Sequence, residues 1–148
     1  MGVKKKKTTP TYINDIIYTF KINKVNKVID GDTLDCSISL GFNLNLRTKV
    51  RLLNVDTPET FRPKTERERK AGIECKKLLK SLVEKYADRL YITTKKKGKY
   101  GRWLGEIWYL DENGNLVSIN DIINEFIEKN NYYKDILRAP EESDKEDK

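Results

Sequence analysis

The stretch "RLLNVDTPET", residues 51–60, begins as an apolar strand and ends among charges. Leu52, Leu53 and Val55 suit a buried sheet, yet Arg51 stands with them and Asp56, Thr57 and Glu59 crowd around Pro58. Burying an arginine and two acids near one another is costly unless they hold something. Asp32, in the earlier turn "DGDT", lies 24 residues before Asp56, and each acid sits at a turn beside a strand. On adjoining strand ends the two carboxylates could face one cation. A hard, oxygen-seeking ion such as Ca²⁺ suits such donors better than zinc, and the Thr57 carbonyl could add a third oxygen. Pro58 stiffens the turn and pushes Thr57 toward an extended backbone, so Asp56 can aim at a metal and Glu59 at a water beside it. Arg51 and Arg102 offer two guanidinium forks that bind phosphate oxygens bidentately. Metal and forks together would clamp a phosphodiester.

The rest of the composition narrows the chemistry. The 148 residues contain no histidine, and Cys36 and Cys75 are 39 positions apart. Cys/His zinc patterns, Ser-His-Asp and Cys-His triads and any histidine base are therefore excluded. The two cysteines read as small buried hydrophobes. Net charge is +7; the five acids and two lysines of 141–148 leave +10 on residues 1–140. A basic body of this kind favours polyanionic partners, nucleic acid first among them. "MGVKKKKTTP" is followed by no apolar signal core, and no apolar run is long enough to span a membrane, which predicts a cytoplasmic protein.

One domain is expected, preceded by a basic flexible arm over residues 1–14 and followed by an acidic disordered tail over 140–148. Between them, a β pattern runs from Ile16 to Ile29, and "DGDT" (30–33) is a hairpin turn. Leu34, Cys36, Ile38 and Leu40 then alternate with polar residues. Gly41 interrupts, Phe42, Leu44 and Leu46 resume, and Val50–Val55 forms the next strand. From Glu66 to Tyr86 the spacing of Ala71, Cys75, Leu78, Leu79, Leu82, Val83 and Tyr86 is that of a long amphipathic helix. Strands return at 90–94 and 103–110 around the basic loop "KKKGKYGR". "DENGN" turns into Leu116–Val117, and Ser118 or Asn120 can cap a second helix bearing Ile119, Ile122, Ile123, Phe126 and Ile127. Beyond Asn130 the pattern fades. The order predicts an α+β fold: a five-stranded OB-type β-barrel with a long helix after strand three and a second helix near the C-terminus.

"VIDGDT", "VRLLNVDTPET", "GIEC" at the start of the long helix and "KYGR" resemble, in order and spacing, the thermonuclease family of staphylococcal-nuclease-like proteins, from about Val28 to Asn130. The resemblance implies a nuclease domain over residues 15–139, with an OB barrel and Ca²⁺-dependent hydrolysis of DNA and RNA that leaves 3′-phosphates. Matched by position, Asp32, Asp56 and the Thr57 carbonyl would bind Ca²⁺. Glu59 would activate or position the attacking water, and Arg51 and Arg102 would neutralise the phosphate in the transition state. Lys99 and Tyr100 would hold a neighbouring phosphate, Asp30 would orient the site, and Glu74 reads as structural. Tyr132 and Tyr133 stand where the family places tyrosines that flank the substrate. The family's third helix finds no apolar periodicity after Leu137 here.

The expected partner is single-stranded DNA or RNA, gripped by a monomer through phosphate and not through the 2′ position. A non-catalytic OB module that only binds nucleic acid or a protein ligand is the competing reading. Such a module should have lost one of Asp32, Arg51, Asp56, Glu59 and Arg102, and all five are present.

Overall fold

The computed structural model describes residues 18–97 and 102–139, so the arm at 1–14, the tail at 140–148, Lys99 and Tyr100 lie outside the described residues. Strands β1 (Thr19–Asp30), β2 (Thr33–Gly41) and β3 (Leu44–Leu52) form an antiparallel meander. Helix α1 (Glu66–Lys85) follows, then β4 (Leu90–Lys97), β5 (Trp103–Leu110), the short β6 (Leu116–Ser118), and helices α2 (Ile119–Asn130) and α3 (Lys134–Arg138).

The sheet order is β3-β2-β1-β4-β5-β6, and β3 also pairs with β5. That last pairing is parallel, with Val50 opposite Trp103, Arg51 opposite Leu104 and Leu52 opposite Gly105. It closes five strands into the expected barrel and leaves β6 as an extra edge on β5. Closure removes the exposed strand edges that so many short strands would otherwise present. Ile22, Leu34, Val50, Leu52, Ile92 and Ile107 fill the interior and are wholly buried.

α1 buries Ala71, Cys75, Leu79 and Val83 against the barrel, as its period predicts. It starts at Thr65, whose side chain accepts the Glu68 amide. Both cysteines are buried free thiols, and burial pushes each up to about 12. Ser118 caps α2 by accepting the Asp121 amide at 3.2 Å. Asn120 does something else. It donates to the carbonyls of Leu53 and Gly105 and accepts from the Ile107 amide, tying the α2 start to the ends of β3 and β5.

Besides β4, which runs to Lys97 and not to 94, two features differ from the sequence reading. Phe42, Leu44 and Leu46 do not continue β2. Gly41, Phe42 and Asn43 all take positive φ (82°, 52° and 61°) and form a tight turn, so Leu44 and Leu46 belong to β3, which ends at Leu52. The hairpin reaches past the core, and Phe42 at its tip is 96% exposed.

The second difference is α3. Five residues are too few to show a helical period, so nothing in the pattern beyond Asn130 announces it. Tertiary contacts hold it instead. Leu137 is buried, its carbonyl accepts the Thr65 hydroxyl, and Arg67 donates to the Ala139 carbonyl at 2.6 Å.

Candidate active site

The β1–β2 turn, the end of β3 and the loop before α1 meet at a cleft of about 290 Å³. Asp30, Asp32, Arg51, Thr57, Pro58, Glu59 and Arg102 line it. Arg51 reaches the cleft because it pairs with Thr33 on one side and Leu104 on the other, which brings the start of β5, and Arg102 before it, alongside. Two residues far apart in sequence thereby share one wall.

The local geometry of "RLLNVDTPET" follows from a few fixed points. Asn54 adopts a left-handed backbone (φ 60°), a conformation its short polar side chain tolerates, and turns the chain at the end of β3. The Thr57 amide then donates to Asp32 Oδ2 at 3.1 Å, binding the loop to the β1–β2 turn. Gly31 lets the two approach, since a Cβ there would lie 2.7 Å from Cys75 Cβ and 2.9 Å from Thr57 Cγ2. Gly72 does the same on the other side, where a Cβ would meet the carbonyl oxygens of Pro58 at 2.7 Å and Glu59 at 3.0 Å. The "GIEC" motif is therefore a packing device: Gly72 and Cys75 seat α1 under both turns. Glu74 itself is half exposed and pairs with Lys77 on α1 at 3.7 Å.

The charges are arranged asymmetrically. Asp32 is 5% exposed and bonds the Thr33 hydroxyl and the Thr57 amide, with Arg51 at 3.5 Å. The Arg51 guanidinium also donates to the Val55 carbonyl and to Asp56 Oδ1, each at 3.2 Å. Asp30 accepts the Thr60 hydroxyl at 2.8 Å. Burial raises the Asp30 carboxyl above its ordinary value; the Thr60 bond opposes this, and the charges of Asp32 and Glu59 add to it. Asp56 is absent from the cleft lining, and its side chain is largely exposed. Burial works against its ionised form, but the Lys134 hydrogen bond and the charges of Lys134 and Arg51 prevail and hold its carboxyl low.

Sequence reasoning missed three contributors. Glu68, wholly buried, accepts the Lys64 amide at 2.7 Å and Arg138 Nε at 2.7 Å, locking the loop before α1. The pattern Thr65-x-x-Glu68 is a capping-box signature and could have flagged it. Lys134 and Arg138, both from α3, approach Glu59 at 3.2 Å and 3.9 Å. Neither was visible without α3. Of the tyrosines, Tyr132 packs edge-on to Phe126, with ring centres 5.8 Å apart, and Tyr133 is 44% exposed at the start of α3. Neither lines the cleft.

The family described as "Staphylococcal nuclease homologue" matches residues 49–148. The chain belongs to the staphylococcal nuclease family. Within it, the chain is 35% identical over 92 residues to the thermonuclease of Staphylococcus intermedius, covering 62% of this chain and 51% of that protein. It is 36% identical over 85 residues to the thermonuclease of Staphylococcus hyicus, covering 57% and 47%. A third relative, endonuclease YhcR of Bacillus subtilis (strain 168), is 33% identical over 107 residues, covering 68% of this chain and 8% of that one. The chain thus spans about half the length of the thermonucleases it matches. No solved structure gives a significant match.

For this staphylococcal nuclease family member, the α+β barrel is the one that the motifs imply. The described helices include none long and apolar enough to cross a membrane.

Proposed function

We infer that this chain is a cation-dependent nuclease that hydrolyses phosphodiester bonds of DNA and RNA, prefers single strands and leaves 3′-phosphates. The observation that carries the reading is the meeting of Arg51, Arg102, Asp32 and Glu59 around one cleft. Two forks for phosphate oxygens face carboxylates that could hold an ion and a water, which is the division of labour an in-line displacement at phosphorus needs. The thermonucleases and the endonuclease that the chain resembles support it.

The donors present fit a hard cation. Asp32 and Thr57 border the cleft with oxygen donors only, and the buried Thr57 hydroxyl has no hydrogen-bond partner among the described residues. Among the described residues no group of three or more carboxylates and thiolates is placed to hold a metal, so carbonyl, water and substrate oxygens would share the coordination. Asp32, Asp56 and the Thr57 carbonyl are the residues we assign to hold Ca²⁺. When bound, the ion would draw charge from the phosphate and acidify a neighbouring water.

The chain's own groups do the rest. Arg51 and Arg102 grip the non-bridging oxygens and offset the charge that grows on them as the phosphorus is attacked. Arginine keeps its proton across the working range, so Arg102 acts on the leaving 5′-oxygen through charge and not as an acid. Glu59 orients the attacking water opposite that oxygen. Asp30 holds Thr60 and steadies the turn. Lys99, Tyr100, Tyr132 and Tyr133 are assigned to the flanking nucleotides, the two lysine-loop residues through a neighbouring phosphate.

The test is cleavage of an end-labelled single-stranded oligonucleotide with Ca²⁺, with Mg²⁺ and with EGTA, beside Glu59→Gln. Ca²⁺-dependent cutting that Glu59→Gln abolishes, with 3′-phosphate ends, is the expected result. Tight binding without cutting in every condition would make the chain a binding module.

A further inference from the structure

Helix α3 brings two cations toward the carboxylates of the site: Arg138 sits on Glu68 and comes only within 3.9 Å of Glu59, whereas Lys134 reaches both Asp56 and Glu59. Lys134 Nζ lies 2.7 Å from Asp56 Oδ1 and 3.2 Å from Glu59 Oε1, and its side chain is only 18% exposed. The backbone that carries it is held in place by the buried Leu137, by the Thr65 bond to the Leu137 carbonyl, and by Arg138 on Glu68 at 2.7 Å. One ammonium therefore bridges the carboxylate assigned to the metal and the one assigned to the water.

We propose that Lys134 is a resident cation that competes with the divalent ion for Asp56, so that metal loading requires its ammonium to leave that carboxylate. The inference rests on the assignment of Asp32, Asp56 and Thr57 as the metal's ligands. An ion arriving at Asp56 would stand a few ångströms from a fixed positive charge in a partly desolvated place, where like charges repel appreciably. Arg51 also touches Asp56, but it is anchored by the Val55 carbonyl and lies against Asp32, so it stays with its own partners. Lys134 has a flexible four-carbon stem and a second partner in Glu59, and it can give up Asp56 without leaving the site.

The arrangement has a purpose in each state. Asp30, Asp32, Asp56 and Glu59 would repel one another in the ion-free protein, and the ammonium offsets part of that repulsion. Once the ion is bound, Lys134 remains on Glu59 and keeps that carboxylate in place. Lys134 is thus a positioning residue, and it sets the ion concentration at which the site loads.

The experiment is calorimetric titration of the full chain with Ca²⁺ alone, without nucleic acid, for wild type, Lys134→Met, Lys134→Arg, Asp32→Asn and Lys129→Met. Lys134→Met should bind Ca²⁺ roughly tenfold more tightly, the scale expected for removing one like charge beside a partly solvated ion. Lys134→Arg, which keeps the charge, should bind no more tightly than wild type. Lys129→Met, on exposed surface of α2, controls for net charge and should also match. Asp32→Asn should weaken binding at least tenfold. Lys134→Met binding no tighter than wild type, while Asp32→Asn binds weakly, overturns the competition and leaves the metal assignment standing. Tightening by Lys134→Arg or Lys129→Met to the same extent also overturns it. Asp32→Asn that binds like wild type overturns both.

Discussion

Gly72 on α1 lies directly beneath Pro58: a Cβ at Gly72 would stand 2.7 Å from the Pro58 carbonyl oxygen. The neighbour is backbone, not the end of a flexible side chain, so it can yield only by moving the turn that carries Glu59. Gly72→Ala should therefore cost about 1–3 kcal/mol of stability, the usual range for overpacking. It should also lower kcat by up to about 100-fold, because a shift of about 1 Å at a positioned group has effects of that size. Urea unfolding and single-turnover cleavage read the two effects separately.

Arg51 reaches the oxygens of Val55, Asp56 and Asp32 with one guanidinium nitrogen, which leaves the rest of the fork for substrate. Arg51→Lys keeps the charge and loses the fork. A preorganised donor aimed at developing charge is worth about 3–4 kcal/mol, so kcat/KM should fall between about 100- and 1,000-fold with the melting temperature little changed. Retention of more than a tenth of wild-type kcat/KM would remove Arg51 from the transition state.

Glu68 gives the fold a pH dependence. Burial opposes its ionised form, yet the Lys64 amide, Arg138 and the Glu59 amide together outweigh burial and lower the carboxyl below its ordinary value. Between the ordinary value and the lowered one, the unfolded chain binds a proton that the folded chain does not. The stabilisation from Glu68 is then complete above the ordinary carboxylate range and disappears as pH falls through the folded value. Glu68→Gln should be less stable than wild type by about 1–3 kcal/mol at neutral pH, since Arg138 and the Lys64 amide lose a charged partner. The gap should narrow as pH drops below about 4, which urea midpoints at the two pH values would measure.

Cys36 and Cys75 should be chemically silent in the native protein. Each thiol is buried and raised from 9.0 to about 12, so the thiolate is roughly a thousandfold rarer than for a free cysteine at the same pH. A coloured disulfide reagent at mildly alkaline pH should label neither until denaturant is added, and then both. Rapid native labelling of Cys75 would mean that α1 lifts from the Gly31 turn it packs against.

Much of this protein is decided locally. The acids of "DGDT" and the arginine, acids and single proline of "VRLLNVDTPET" sit within a few residues of the chain turns after β1 and β3, so those turns are legible from spacing alone. α1 is legible because twenty residues give a period time to repeat. The Thr65 cap and the burial of both cysteines follow from the same short-range rules.

The tertiary structure decided the rest, because it depends on contacts between distant parts of the chain. Parallel pairing of β3 with β5 puts Arg51 beside Leu104 and so brings Arg102 to the same cleft, and no local pattern specifies which strands close a barrel. α3 has five residues and no period of its own; it exists by docking on Thr65, Arg67 and Glu68. Lys134 meets Glu59 across 75 positions of sequence only because that docking places it there. A side chain's type sets what chemistry it can do, and short-range geometry aims it. Which opposite charge it finally faces is settled by packing at long range.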